Sequence, residues 1–255
     1  PAQGYLAARF HSVARRSATG PLPESQATLG DQQFNVLLVS PAPPISEQPG
    51  PATGSLAAET VSVLESVDVQ VGLDVLRPPT FAALAAHLDQ NPGKYHLVHL
   101  DGILAAEDGG SLIFEQPDGS PPGGAFDAVP ASPASKVAEA LSKAAVPTVL
   151  LNNGRVDSIG SLNSWEAAAR TLAEEGVPLV VSVPYPLIGP GRRHFTEGFY
   201  QALTQGGEGG AASAAVANAR QAMMDNPQRA GAWGPMVHWD WLLPVVYQSA
   251  TYTPK

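Results

Sequence analysis

The chain has 255 residues, long enough to bury a sizeable core, with 14 Lys and Arg against 23 Asp and Glu and no Cys. The net charge of −9 repels phosphate backbones and excludes nucleic acid as the expected partner, and no run approaches the ~18 apolar residues that would span a bilayer. Zero cysteine removes disulfides, thiolate metal sites and thiol nucleophiles together, and no cofactor is expected.

Residues 1–30 combine a possible short helix, Gly4 to Arg16, with a loop-like Ser17 to Pro23, and read as an arm or linker ahead of one domain over 31–255. The start at Pro1, without a charged-then-apolar leader pattern, is expected of a processed product or an excised domain. Phe34 to Val39 is a near-continuous apolar run, as for a strand buried on both faces. After a Pro/Gly-rich loop, Ser55 caps a predicted helix to about Val67, with Ala57, Val61 and Leu64 on one face. A second strand follows at Val71 to Leu76. Thr80 then caps a helix with Phe81, Leu84, Ala85 and Leu88 as its apolar stripe.

Tyr95 to Leu100 reads as the third strand, ending at Asp101-Gly102, and Leu112 to Glu115 as a short strand before a turn. Ser132-Pro133 is an N-cap and first-turn pair for a helix with Val137, Ala138 and Leu141 inward. Pro147 to Leu151 is the fourth strand. The Ser164 to Glu175 helix carries Trp165, Ala168 and Leu172 and stops at Gly176. Pro178 to Val183 is the fifth strand, helices follow around Phe195 to Leu203 and Ala211 to Met224, and Leu242 to Tyr247 can close the sheet as a sixth strand. This alternation predicts an α/β fold with a mostly parallel, doubly wound sheet covered on both sides. Ligands of such sheets approach the carboxyl ends of the strands, which nominates the segments after Leu100 and Leu151.

These segments carry a family resemblance. Tyr95 to Gly102 (YHLVHLDG), Ser111 to Glu115 (SLIFE) with Asp118-Gly119, Val149 to Arg155 (VLLNNGR), Phe195 to Leu203 and Trp241 to Tyr247 (WLLPVVY) follow one another in an order that resembles the CHAT domains, from about Phe34 to Tyr247. CHAT domains are caspase-like modules usually found behind tetratricopeptide repeats. The resemblance implies a three-layer α/β/α fold with a mostly parallel six-stranded sheet, a catalytic His after the third strand and a nucleophilic Cys after the fourth. Here the His position is filled by Ile103 and the Cys position by Gly154. Neither residue can carry a thiolate or shuttle a proton, and no shift in alignment supplies a cysteine to a chain that has none.

What remains as groove candidates are His99, Asp101, Gly102, Asn152, Asn153, Arg155 and Ser182. His99 and Asp101, two apart on a strand, face the same way, either as half of a metal or acid/base site or as a structurally bonded pair; no third metal ligand is visible. His238 and Asp240 repeat that spacing with the same two readings, and His96 is expected on the opposite face from His99. Asn152, Asn153 and Arg155 either meet a ligand or build a turn, since Asn-Gly is a turn dipeptide. Ser158, Ser161 and Ser164 lack an evident base. Gly189 to His194 reads as a basic solvated loop or an anion site at a helix start, and Trp233, Trp239 and Trp241 as core packing or a partner patch.

The expected function is a catalytically inactive pseudopeptidase domain that binds, as scaffold or regulator, a protein partner or an attached repeat domain. Two alternatives stand beside it: a small-molecule or peptide sensor at the switch point, and a hydrolase using non-thiol groups such as Asp101 with an activated water. Oligomeric state is open, and a cytoplasmic location is expected from the resemblance and from the lack of a signal-segment pattern.

Overall fold

The computed structural model describes residues 15–16, 34–40, 56–66, 71–105, 110–115, 131–153, 161–187, 189–204, 212–231 and 234–250. The strands are β1 (Arg15–Arg16), β2 (Phe34–Val39), β3 (Val71–Val75), β4 (Leu97–Ala105), β5 (Ser111–Ile113), β6 (Ala131–Pro133), β7 (Thr148–Asn153), β8 (Leu179–Val183), β9 (Gln228–Gly231), β10 (Gly234–Val237) and β11 (Val245–Gln248). The helices are α1 (Leu56–Ser66), α2 (Phe81–Gln90), α3 (Ala134–Lys143), α4 (Ser161–Glu174), α5 (Pro190–Thr204) and α6 (Ala212–Asp225), with a 3-10 turn at Asp240–Leu242.

Six strands form the central sheet in the order β3-β2-β4-β7-β8-β11, all parallel except β11, and the two-residue β1 adds to the outer edge of β11. The chain first steps outward from β2 to β3, then crosses back over β2 to β4 and continues to β7 and β8. Because parallel crossovers are right-handed, that reversal moves the connecting helices to the other face. One apolar layer accordingly joins Leu37, Val98, Leu100, Val149, Leu151 and Val180 to α2, α3 and α4, while the other joins Val36, Leu97, Leu150, Val181 and Val183 to α1, α5 and α6. This is the three-layer α/β/α architecture.

Local signals act where expected. Thr80 Oγ1 accepts from the Ala83 N–H at 3.1 Å, Leu84 and Leu88 are buried beneath it, and Gly176 ends α4 with φ +109°. Val137, Ala138 and Leu141 face inward, as do Trp165, Ala168 and Leu172.

Several boundaries differ from the sequence reading, each for a tertiary reason. The third strand does not end at Asp101-Gly102 but runs to Ala105. Leu104 and Ala105 pair with Ile113 and Leu112, and the extra residue Gly102 is absorbed as a bulge between the Asp101–Asn152 and Ile103–Asn153 pairs. Ser132 and Pro133 belong to β6, held against β5, so α3 begins at Ala134 with no side-chain cap. Arg15 and Arg16 pair as a strand rather than ending a helix, because Tyr247 and Gln248 offer an open edge; Gly4 to Ala14 lie outside the described residues. The last strand starts at Val245, after the 3-10 turn, and the β9–β10 hairpin has no counterpart in the sequence reading.

The Gly189–His194 segment is not a solvated loop. Pro190 opens α5, whose Gly191 sits against the buried Arg229–Asp240 ion pair, where a Cβ would meet Arg229 Nε and Asp240 Oδ2 at 2.5 Å each.

Candidate functional site

The carboxyl ends of β4 and β7 lie side by side with Asp101 opposite Asn152. Strand alternation puts His99 and Asp101 on the face of Leu97, and Asn152 on that of Leu150, beneath α1 and α5. Asp101 is 0% exposed. Its Oδ2 accepts from Thr60 Oγ1 on α1 at 2.8 Å and from Arg192 Nη2 on α5 at 2.5 Å, and its Oδ1 accepts from Asn152 Nδ2 at 3.0 Å. Arg192 Nη2 also donates to Thr60 Oγ1 at 3.1 Å, and its Nε lies 3.2 Å from the half-exposed Glu59. One carboxylate thus joins two strands to two helices.

His99, 2% exposed, has Nδ1 3.0 Å from Tyr200 Oη and Nε2 3.9 Å from Asp101 Oδ1. The carboxylate favours the tautomer protonated on Nε2, and Tyr200 then donates to Nδ1. Burial pushes the imidazole down to about 4, with Asp101 pulling it up and Arg192 pushing it further down, so the ring is neutral at pH 7. Burial alone would raise the Asp101 carboxyl; its neighbours His99 and Arg192, with the hydrogen bonds from Arg192 and Thr60, outweigh it and hold the carboxyl below the ordinary range. Burial, then the Asp101 charge, lifts the Tyr200 phenol well above 10. His99 Nε2 and Asn152 Oδ1 are buried without a hydrogen-bond partner.

The fold divides the groove candidates between two faces. His99, Asp101 and Asn152 meet on the α1/α5 side. Ser182 is on the other side, its hydroxyl accepting from Trp165 Nε1 at 2.9 Å, and Asn153 donates to the Pro184 carbonyl at 2.7 Å. Gly102 is the bulge residue, while Gly154, Arg155 and Ser158 lie outside the described residues. His96 precedes β4, where its Nδ1 accepts from the Asn35 N–H at 3.0 Å and its ring lies 4.9 Å from that of Phe34. Asp240 bonds Arg229 through both oxygens, at 2.7 and 2.9 Å; Trp241 is buried, Trp239 is exposed, and Trp233 is outside the described residues.

Ile103 pairs with Asn153, the residue before Gly154 in the neighbouring strand. The CHAT domain family model matches residues 3–252, nearly the whole chain. The chain belongs to the CHAT domain family. No curated protein matches it. The CHAT fold is caspase-like, and in this CHAT domain the described polar groups at the carboxyl ends of β4 and β7 include the Asp101–Arg192 pair and its neighbours. Thr60 and Tyr200 escaped the sequence reading as site residues, and Arg192 was read only as part of the basic Gly189–His194 segment, not as the partner of Asp101. A signal was present: Arg192 precedes Phe195, Phe199 and Leu203 at helical spacing, which places it on the buried stripe of α5.

Among the described residues no group of three or more His, Asp or Glu is placed to hold a metal ion, and no helix is long and apolar enough to cross a membrane.

Proposed function

We propose that this CHAT domain is a catalytically silent caspase-like module that works by binding, as a scaffold or regulator of a protein partner. The observation that carries the reading is the absence of any cysteine from the chain, since thiol peptidase chemistry requires a thiolate. In support, the resemblance implies that Gly154 and Ile103, which have no titratable side chain, stand at the nucleophile and base positions. Loss of either member of such a unit removes most of its rate advantage.

The geometry gives no support to Asp101 as a general base. Its two oxygens are bonded by Thr60, Arg192 and Asn152 and the side chain is sealed from water, so a base would first have to break a buried ion pair. The neutral His99 is likewise enclosed, between Tyr200 and Asp101.

The test pairs an activity screen with a capture experiment on the full chain. Fluorogenic peptide and ester libraries are expected to show no turnover, and a tagged chain is expected to retain a stoichiometric protein partner from intact lysate. Turnover that co-purifies with the chain and is lost in Asp101→Asn while thermal melts show that variant folded would overturn the reading.

A further inference from the structure

The outer edge of β11 carries a second recognition feature, remote from the carboxyl edge. A terminal strand of a sheet presents unpaired backbone groups that attract another extended chain. Here β1 fills that place over two residues, with Arg15 opposite Tyr247 and Arg16 opposite Gln248. The side chains add a specific contact. The Arg15 guanidinium lies 5.6 Å from the centre of the Tyr247 ring, contacts the Tyr247 hydroxyl at 3.4 Å and pairs with Glu166 on α4. Tyr247 is itself buried, so its ring forms a fixed floor rather than a mobile surface group. The edge therefore has a backbone ladder for an extended segment and an aromatic and acidic seat for one arginine.

The present occupant is weakly held. Arg15 and Glu166 are 56% and 44% exposed, a setting in which ion pairs contribute little. An arm from a second copy would make the same contacts at micromolar concentration. The chain's own arm, being part of the same molecule, makes them at an effective concentration of about 1 mM. Exchange between copies is thus disfavoured. A segment that displaces the arm must pair with β11 while still supplying the arginine.

We propose that the β11 edge is a strand-docking site for an extended, arginine-bearing segment of a protein partner, and that Arg15–Arg16 occupies it as a built-in competitor. The site reads backbone through strand addition and side chain through Tyr247 and Glu166. It stands whether or not the chain cuts peptides, because nothing in it depends on Ile103 or Gly154.

The probe is a fluorescent peptide with the chain's own residues 11–20, HSVARRSATG, titrated into the full-length chain by anisotropy. The Arg15→Glu variant repels Glu166 and frees the edge. For a probe Kd of about 0.1 mM, an own-arm concentration of about 1 mM weakens apparent binding to the parent about tenfold, so Arg15→Glu is expected to bind about tenfold tighter. Adding Glu166→Arg, or Glu166→Gln as a milder change, should abolish that gain, and a peptide with the first arginine replaced by Glu should bind the Glu166→Arg chain again. Thermal melts verify that each variant is folded. Equal affinity for parent and Arg15→Glu, absence of binding to Arg15→Glu, or indifference to Glu166 would each overturn the proposal.

Discussion

Arg192 stabilises this fold chiefly by what it prevents. With its guanidinium removed, Asp101 becomes a buried carboxylate with no counter-charge, and breaking a buried pair from one side costs about 3–5 kcal/mol. Arg192→Ala is therefore expected to lower the melting temperature by about 10 °C in calorimetry, at the few degrees per kcal/mol of a domain this size. The double variant Arg192→Met, Asp101→Leu should recover part of the loss, because it removes the unpaired buried charge while leaving Thr60 Oγ1 and Asn152 Nδ2 without their acceptor; a double variant as unstable as the single one contradicts this account. His99 sets a pH dependence of defined sign. The unfolded chain protonates it near 6.5 and the folded chain only near 4, so the unfolded state binds more protons in between and stability falls as pH drops through that window. The loss is roughly 3 kcal/mol by pH 4. Stability curves across pH 4–7 should be flatter for His99→Gln than for the parent, and an unchanged slope would remove His99 from the explanation.

At the scale of elements, α5 organises one side of the sheet. Its Arg192 reaches Asp101, its Gly191 touches the Arg229–Asp240 pair, and its Gly198 allows α6 to approach so closely that a Cβ would lie 3.0 Å from Ala219 Cα and 3.2 Å from Ala222 Cβ. Because the first obstacle is backbone, Gly198→Val cannot be absorbed by a rotamer change and is expected to cost about 1–3 kcal/mol, measured as a lower denaturant midpoint. A neutral Gly198→Val would mean the helices can separate freely. On the opposite face, Trp165 is buried to 0% exposure with its indole N–H on Ser182. Trp165→Ala should cost about 3–5 kcal/mol, whereas Ser182→Ala, which orphans only that N–H, should cost about 1–3 kcal/mol. The reverse ranking in denaturant melts would displace Trp165 as the anchor of that layer.

For the whole molecule, the sheet is the shared wall of both apolar layers, since alternate residues of β2, β4, β7 and β8 enter each one. Neither layer retains its packing once the sheet opens. Trp165 reports the α4 face and Trp241 the α6 face, so the parent and a Trp165→Phe chain should each show one unfolding transition by fluorescence that coincides with the circular dichroism transition. Separate midpoints for the two probes would show that the layers unfold independently. The charge of −9 acts at this scale too, by repelling other acidic chains, while a basic segment such as the arm is drawn to the Glu166 seat.

Legibility followed the range of the interaction. Runs such as Phe34–Val39 and Leu179–Val183, the Thr80 cap and the Gly176 stop are settled by neighbouring residues, so the six-strand alternation and most helices could be read directly from the order of amino acids. The lack of any thiol is a matter of composition, and no packing alters it. The fate of Asp101-Gly102 was different: locally it reads as the end of a strand, and only β5, α1 and α5, contributed from distant parts of the chain, carry the strand on through a bulge and seal Asp101 in an ion pair. The same holds for Arg192 and Arg15. A charged side chain declares its preference for water in the sequence, but whether a carboxylate from another element replaces that water is decided by the tertiary structure.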